Sequence, residues 1–287
     1  MTIVQILSLT LTVSIILMLF SLTLRARFAD LGYLFTHWKL GLGALIAMFV
    51  IVPGVAIFLA GMLDLDPAVQ VALVAIALSP LPPILPGKQI KAGGHACYVT
   101  GLLVLATIAS VVIAPFGVSF AAHLLGAEGN ITPMDIVPPV AISILLPLVL
   151  GLVGARVLGR HIDIVSQVTS KAGSVLLVVA MLGLLIVLMP AMWQLIKQGT
   201  PIVLTVAILI GLAAGFLLGG KDRGDRTALA LAAATRHPGV AVAIASHSFP
   251  DAKMAPAAIL LSLVISTIIS LPLLHLLTRE EGGQAAQ

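Results

Sequence analysis

The sequence predicts an all-α polytopic membrane protein, and three observations carry that reading. Hydrophobic residues make up 60% of the chain and charged residues only 9%. Mean hydropathy is +1.19. Apolar stretches long enough to cross a bilayer, about 20 residues each, follow one another with only short polar breaks between them. A water-soluble domain of 287 residues cannot cover its surface with so few charges. No stretch is polar enough to form a separate soluble domain, so residues 1–287 read as a single transmembrane domain.

Nine helical spans are expected, near 3–24, 38–62, 68–91, 94–125, 135–157, 171–191, 200–220, 226–249 and 253–278. The breaks between them are Arg25 to Lys39, then LDLDP at 63–67, AGG at 92–94 and AEGNITPMD at 127–135. GRHID at 159–163, KQGTP at 197–201, KDRGDR at 221–226 and FPDAK at 249–253 follow. The first span reads as a membrane helix and not as a cleaved signal: no Lys or Arg precedes it, and basic residues follow it. Tyr33, Trp38 and Trp193 fall near span ends, where aromatic rings anchor at the interface.

The cations orient the chain. With the N-terminus outside, the inner side holds Arg25, Arg27, Lys39, Lys91, Arg156, Arg160, Lys171, Lys221, Arg223, Arg226 and Arg279. The outer side holds Lys197 and Lys253, together with Asp64, Asp66, Glu128 and Asp251. Eleven cations against two is the positive-inside pattern of a multi-pass protein of a cell (inner, cytoplasmic) membrane, with a cytoplasmic C-terminus. The pI near 9.5 therefore reflects short loops on one side, and no nucleic-acid partner is expected. The one cysteine, Cys97, excludes an internal disulfide and a cysteine-based metal site.

Lys88 and Arg236 fall inside apolar spans, beside two sets of helix breakers. The third span, VALVAIALSPLPPILPGKQIKAGG, carries Pro80, Pro82, Pro83, Pro86 and Gly87. No continuous helix survives four prolines in seven positions. The eighth span, TALALAAATRHPGVAVAIASH, carries Arg236, His237, Pro238 and Gly239 near its middle. Broken backbone at membrane depth is tolerated only against protein or a wet cavity. Each broken span precedes one rich in hydroxyls, ATIASVV at 106–112 and SLVISTIIS at 262–270, and the two run in opposite directions. That is the pattern of an inverted repeat, with 3–125 as a four-helix unit and 135–278 as a five-helix unit.

The segments TRHPGVAVAIASHSF at 235–249, PGKQIKAGGHA at 86–96 and FVIVPGVA at 49–56 resemble the bile acid:sodium symporter family, and the spacing of spans agrees from Leu7 to His275. The resemblance implies inverted repeats folded into a core and a panel subdomain, with two broken helices crossing, here in a nine-helix form. It implies a secondary transporter working by alternating access on a small, organic, anionic solute. Family symporters hold sodium with oxygen ligands. On the Pro-Gly alignment those positions fall near Met48, Leu85, Tyr98, Leu102 and Ala232 and at Arg236. None supplies a carboxylate or amide, so sodium coupling is not expected. The alternatives are a sodium symporter rebuilt from backbone carbonyls and a non-transporting sensor or partner subunit of the same fold.

The candidate substrate-binding residues are Arg236, Thr235, His237, Lys88, Gln89 and Ser79, all at or beside the breaks. An arginine at the bilayer centre costs about 2.5–3.5 kcal/mol on insertion scales unless it is paired or hydrated. Arg236 has no acidic partner within any span. Two roles are open to it: a fork for a bound carboxylate or phosphate, or a strut donating to the free carbonyls of the broken helices. His237 is the candidate for proton coupling. Lys88 either lines an inner cavity or snorkels to the interface. His95, His161 and His247 read as ordinary interfacial residues. No nucleophile–base pair, carboxylate pair or metal cluster appears within the spans, so no enzyme activity, catalytic residue, metal or cofactor is expected. The expected partners are the lipid bilayer and the small-molecule substrate.

Overall fold

A computed structural model describes residues 3–25, 33–34, 36–126 and 132–284. Arg27 and Glu128, used in the charge count, lie outside the described residues, as do the side chains of Arg25 and Arg279. Helices follow one another throughout, and no strand occurs among the described residues. We number them α1 (Ile3–Arg25), α2 (Trp38–Met62), α3 (Pro67–Leu78), α4 (Leu85–Lys91) and α5 (Ala96–Leu124). Then come α6 (133–157), α7 (Ile162–Lys197), α8 (Thr200–Leu218), α9 (Arg223–Ala234), α10 (Pro238–Ser248) and α11 (Ala255–Gln284). Six helices or helix pairs are long and apolar enough to cross a membrane: α1, α2, α5, α7, α8, and α9 with α10. Pro67–Leu78, Leu146–Val157 and Ala255–Ser270 are shorter apolar helices in three further expected spans. Large apolar side chains such as Phe58, Val112, Phe116, Phe120, Ile186 and Leu217 face outward, as lipid requires.

The sixth expected span, α7, corrects its expected bounds. It starts at Ile162, nine residues before the expected 171, and runs for 36 residues to Lys197. Hydropathy misses its first turns because Ser166, Gln167, Thr169, Ser170 and Lys171 are polar. A helix needs an apolar surface only where it meets lipid or core, and Ser166 is instead buried against α1.

Two helix groups emerge. In the first, α1 lies along α7 and α6. The Ser14 hydroxyl donates to the Gly173 carbonyl at 2.8 Å, and the Ser21 hydroxyl to the Ser166 carbonyl at 2.8 Å. The second group holds the two broken spans with α2, α5, α8 and α11. Within it α3 packs on α10, and α4 packs on α9. The α8–α9 hairpin closes on a glycine row, Gly211, Gly215 and Gly219. A Cβ on Gly215 would lie 2.5 Å from the Leu229 carbonyl oxygen, so only glycine permits that backbone contact.

The buried apolar residues form two clusters. One spans both groups, joining Ile15 of α1, Ile144 of α6 and Leu184 of α7 to α3, α10, the start of α11 and the later half of α5, for example Leu73, Leu78, Val118, Val242 and Leu260. The other gathers α9 with the first halves of α2 and α5, including Met48, Leu85, Tyr98, Leu102 and Ala232. The two helix breaks lie between these clusters.

The 92–95 turn meets the start of α9 so closely that a Cβ on Gly224 would overlap the Gly93 carbonyl oxygen. Backbone cannot yield as a side chain can. Gly224→Ala is expected to cost about 1–3 kcal/mol, seen as a lower melting temperature in detergent. Gly87→Ala, where a Cβ meets nothing within 4 Å, is the control and leaves melting unchanged or raises it.

Candidate transport site at the helix breaks

Proline chemistry makes both breaks. A residue before proline is pushed out of the helical region. Ser79 before Pro80 is extended at φ −74°, ψ 155°, and ends α3. His237 before Pro238 is extended at φ −77°, ψ 104°, just after α9 ends. The unwound stretches are 79–84 and 235–237. Pro86 and Gly87 correct the expected extent of the first break, since they lie in the first turn of α4. Pro238 and Gly239 likewise open α10. Proline suits a first turn because the N–H it lacks has no intrahelical partner there. In both units, then, Pro-Gly starts the second half-helix, and the unwinding precedes it.

The two unwound stretches touch. The His237 backbone N–H donates to the Pro80 carbonyl at 2.9 Å. The Arg236 Nη1 donates to the Ser79 carbonyl at 3.1 Å, and its Nη2 to the Met48 carbonyl. Met48 is free to accept because of Pro53. Residues Ala47–Ile51 form a π-helical turn, where the Val52 N–H reaches back to the Ala47 carbonyl. In that register the next donor, for Met48, is residue 53, and proline has no N–H. The guanidinium thus bridges three elements, and lies 5.2 Å from the centre of the Phe49 ring. Arg236 is only 5% exposed, and its Nε has no partner among the described residues.

The remaining candidates are placed as follows. His237 is buried, and its Nδ1 accepts from the Gly239 N–H at 3.2 Å, capping α10. That cap requires an unprotonated Nδ1 and puts the ring proton on Nε2, which has no partner. Ser79 is fully buried, and its hydroxyl returns to the Ile76 carbonyl. Thr235 faces Ser266 of α11 at 3.5 Å. Lys88 lines a small cavity with Thr235, Ser266 and Ser270. Gln89, the next residue, is fully buried, and its amide donates to the Ala228 carbonyl at 2.7 Å, stitching α4 to α9. The cavities at the crossing measure only about 10 and 20 Å³, room for about one water each.

Two arrangements escaped the sequence reading. Asp225 is buried and accepts from the His95 backbone N–H at 3.0 Å and pairs with His95 Nδ1 at 3.1 Å. This bond caps α5, and it raises the His95 pKa above its ordinary value. His95, Asp222 and Asp225 present metal-ligand atoms within 4.8 Å of one another, but each aspartate is already employed as a helix cap. The second arrangement is a cleft of about 340 Å³ between α1, α7 and Pro83 of the first break.

With this geometry in hand, the comparison with known families is decisive. The model of the sodium bile acid symporter family matches residues 12–199. The chain belongs to that family. A comparison with curated proteins returned no match. Symporter-family membership makes this chain a multi-pass membrane protein of a family of secondary transporters. The matched stretch includes the first break, the π turn at Met48 and the whole cleft. The second break lies beyond it.

Removing the guanidinium strands two buried carbonyls, at about 1–3 kcal/mol each. Arg236→Ala is therefore expected to lower the melting temperature of purified protein strongly. Arg236→Lys recovers part of the loss, since one ammonium does not reproduce the planar fork. Equal melting of Arg236→Ala and the parent would show that the bridge carries no stability.

Proposed function

We propose that this protein is a sodium-independent secondary transporter of a small organic anion, working by movement of the core group against the α1–α6–α7 panel. One observation carries the sodium part. The positions that the family resemblance assigns to sodium ligands, Met48, Leu85, Tyr98, Leu102 and Ala232, are all buried in a single apolar cluster. A hard cation needs oxygen ligands, and this cluster offers one phenol, that of Tyr98. Arg236 occupies the neighbouring carbonyls with a permanent charge. On this reading the guanidinium braces the crossed helices as a bound sodium otherwise would, and no ion has to arrive before the site forms. The opposite directions of the two broken units support inverted repeats over 3–125 and 135–278. The His237 cap argues against that histidine as a proton carrier, because protonating Nδ1 breaks the cap.

Purified protein is screened by thermal shift against carboxylates, sulfonates and phosphates, and the best stabiliser is assayed for flux in proteoliposomes. Uptake is expected to persist when choline replaces sodium on both sides. Uptake that vanishes in choline and returns with sodium defeats the sodium-independent reading. Binding without flux in either salt favours the sensor reading instead.

The orientation belongs to the same proposal. The eleven-to-two cation asymmetry supports an outside N-terminus and a cytoplasmic C-terminus in a cell inner membrane. Reporter fusions in the 221–226 loop and at the C-terminus are both expected to read cytoplasm; a periplasmic signal at either overturns the topology.

A further inference from the structure

The transport reading leaves open which residue meets the charge of the anion. Arg236 is engaged with two protein carbonyls, and the cavities around it measure about 10 and 20 Å³. The cleft between α1, α7 and the first break is the roomier space, at about 340 Å³. Pockets that hold small organic ligands begin at about 300 Å³.

The cleft has two unlike walls. Met18, Leu22 and Pro83 form an apolar one. The other comes from α7, where Gln167, Ser170 and Lys171 follow at i, i+3 and i+4 and so share one helix face. The two other serines lining the cleft, Ser21 and Ser166, are satisfied by each other. Each donates to the other's backbone carbonyl, at 2.8 and 3.1 Å, and they hold α1 to α7. Gln167, Ser170 and Lys171 remain to face the cleft. Among the described residues no carboxylate forms an ion pair with Lys171. An ammonium beside an amide and a hydroxyl, opposite an apolar wall, suits a solute with an anionic head and a carbon body.

We propose that Lys171, supported by Gln167 and Ser170, is the anion-selecting group of this transporter and meets the charge of the solute in the α1–α7 cleft. Selection then rests on the panel wall and not on the crossing, where Arg236 braces protein. This inference depends on the transport reading and supplies its specificity residue.

The test needs no identified substrate. Cys97 is the one native cysteine, so Cys97→Ser gives a cysteine-free background. Gln167→Cys, or separately Leu22→Cys on the opposite wall, places a reporter thiol in the cleft. Purified protein in uncharged detergent is labelled with two methanethiosulfonates that differ in charge, sulfonatoethyl and trimethylammonioethyl. With Lys171 present the anionic reagent is favoured. Lys171→Gln is expected to lower the ratio of anionic to cationic rate about fivefold or more, the effect of one nearby unit charge. Lys171→Arg keeps the ratio. A ratio unchanged by Lys171→Gln at both reporter sites overturns the proposal, because the ammonium then points away from the cleft. A ratio that falls in protein giving no anion flux in liposomes leaves the anion-selective cleft standing and defeats the transport reading.

Discussion

Proline has no backbone N–H, and the carbonyls that this strands are the constraint around which the rest of the structure is arranged. Pro53 forces a π turn and frees the Met48 carbonyl. Pro80 ends α3 and frees the carbonyls of Ser79 and of Pro80 itself. Water would satisfy these groups in a soluble protein. In a membrane core each needs a donor from the chain. Arg236 and the His237 N–H supply them, and both belong to the other broken span. The crossing is therefore a mutual solution: each broken helix completes the backbone bonding of its counterpart. A charge that costs so much to bury is retained because two stranded carbonyls and an aromatic face receive it at once.

The same arrangement divides the core. Apolar clusters pack on both sides of the crossing, and the polar layer of Ser79, Arg236 and His237 lies between them. Backbone-level stitches fix the halves that share a side. Gln89 ties α4 to α9, and the Asp225 cap ties the 92–95 turn to the start of α9. The glycine row of α8 brings that helix against α9 at backbone distance. These directional contacts join the broken helices to one another and to α8.

Most of the fold was legible in the sequence, and the residues show why the rest was not. Hydropathy found the spans, because lipid imposes a length and a composition that leave a plain trace. The two breaks were legible because Pro80, Pro82 and Pro83 after Ser79, and Pro238 after Arg236 and His237, are side-chain signals. The role of Met48 was not, since it acts through a carbonyl that every residue carries. The start of α7 at Ile162 was hidden because its first turns face α1 and the cleft, where Ser166, Gln167 and Lys171 are appropriate and hydropathy is low. The His95–Asp225 cap joins residues 130 positions apart, a pairing that no local pattern announces. Of the two roles open to Arg236, strut and anion fork, the sequence offered no means of choice, because both need the same guanidinium. The carbonyls of Met48 and Ser79 favour the strut.

That assignment bears on how the two helix groups can move. Each group is held internally by hydrogen bonds, which fix register: Ser14 to Gly173 and Ser21 to Ser166 in the panel, and the crossing bonds in the core. Where the groups meet beside the second break, Gly239 faces Ile15 and Leu11 of α1, and a Cβ there would lie 2.5 Å from Ile15 Cδ1. This contact is close but apolar. Apolar contacts are non-directional, whereas the hydrogen bonds within each group fix register. The proposed cleft lies at the same boundary, with α1 and α7 on one side and Pro83 on the other. A solute held there by Lys171 is touched by both groups. Any shift of core against panel changes its surroundings while leaving the Arg236 bridge intact.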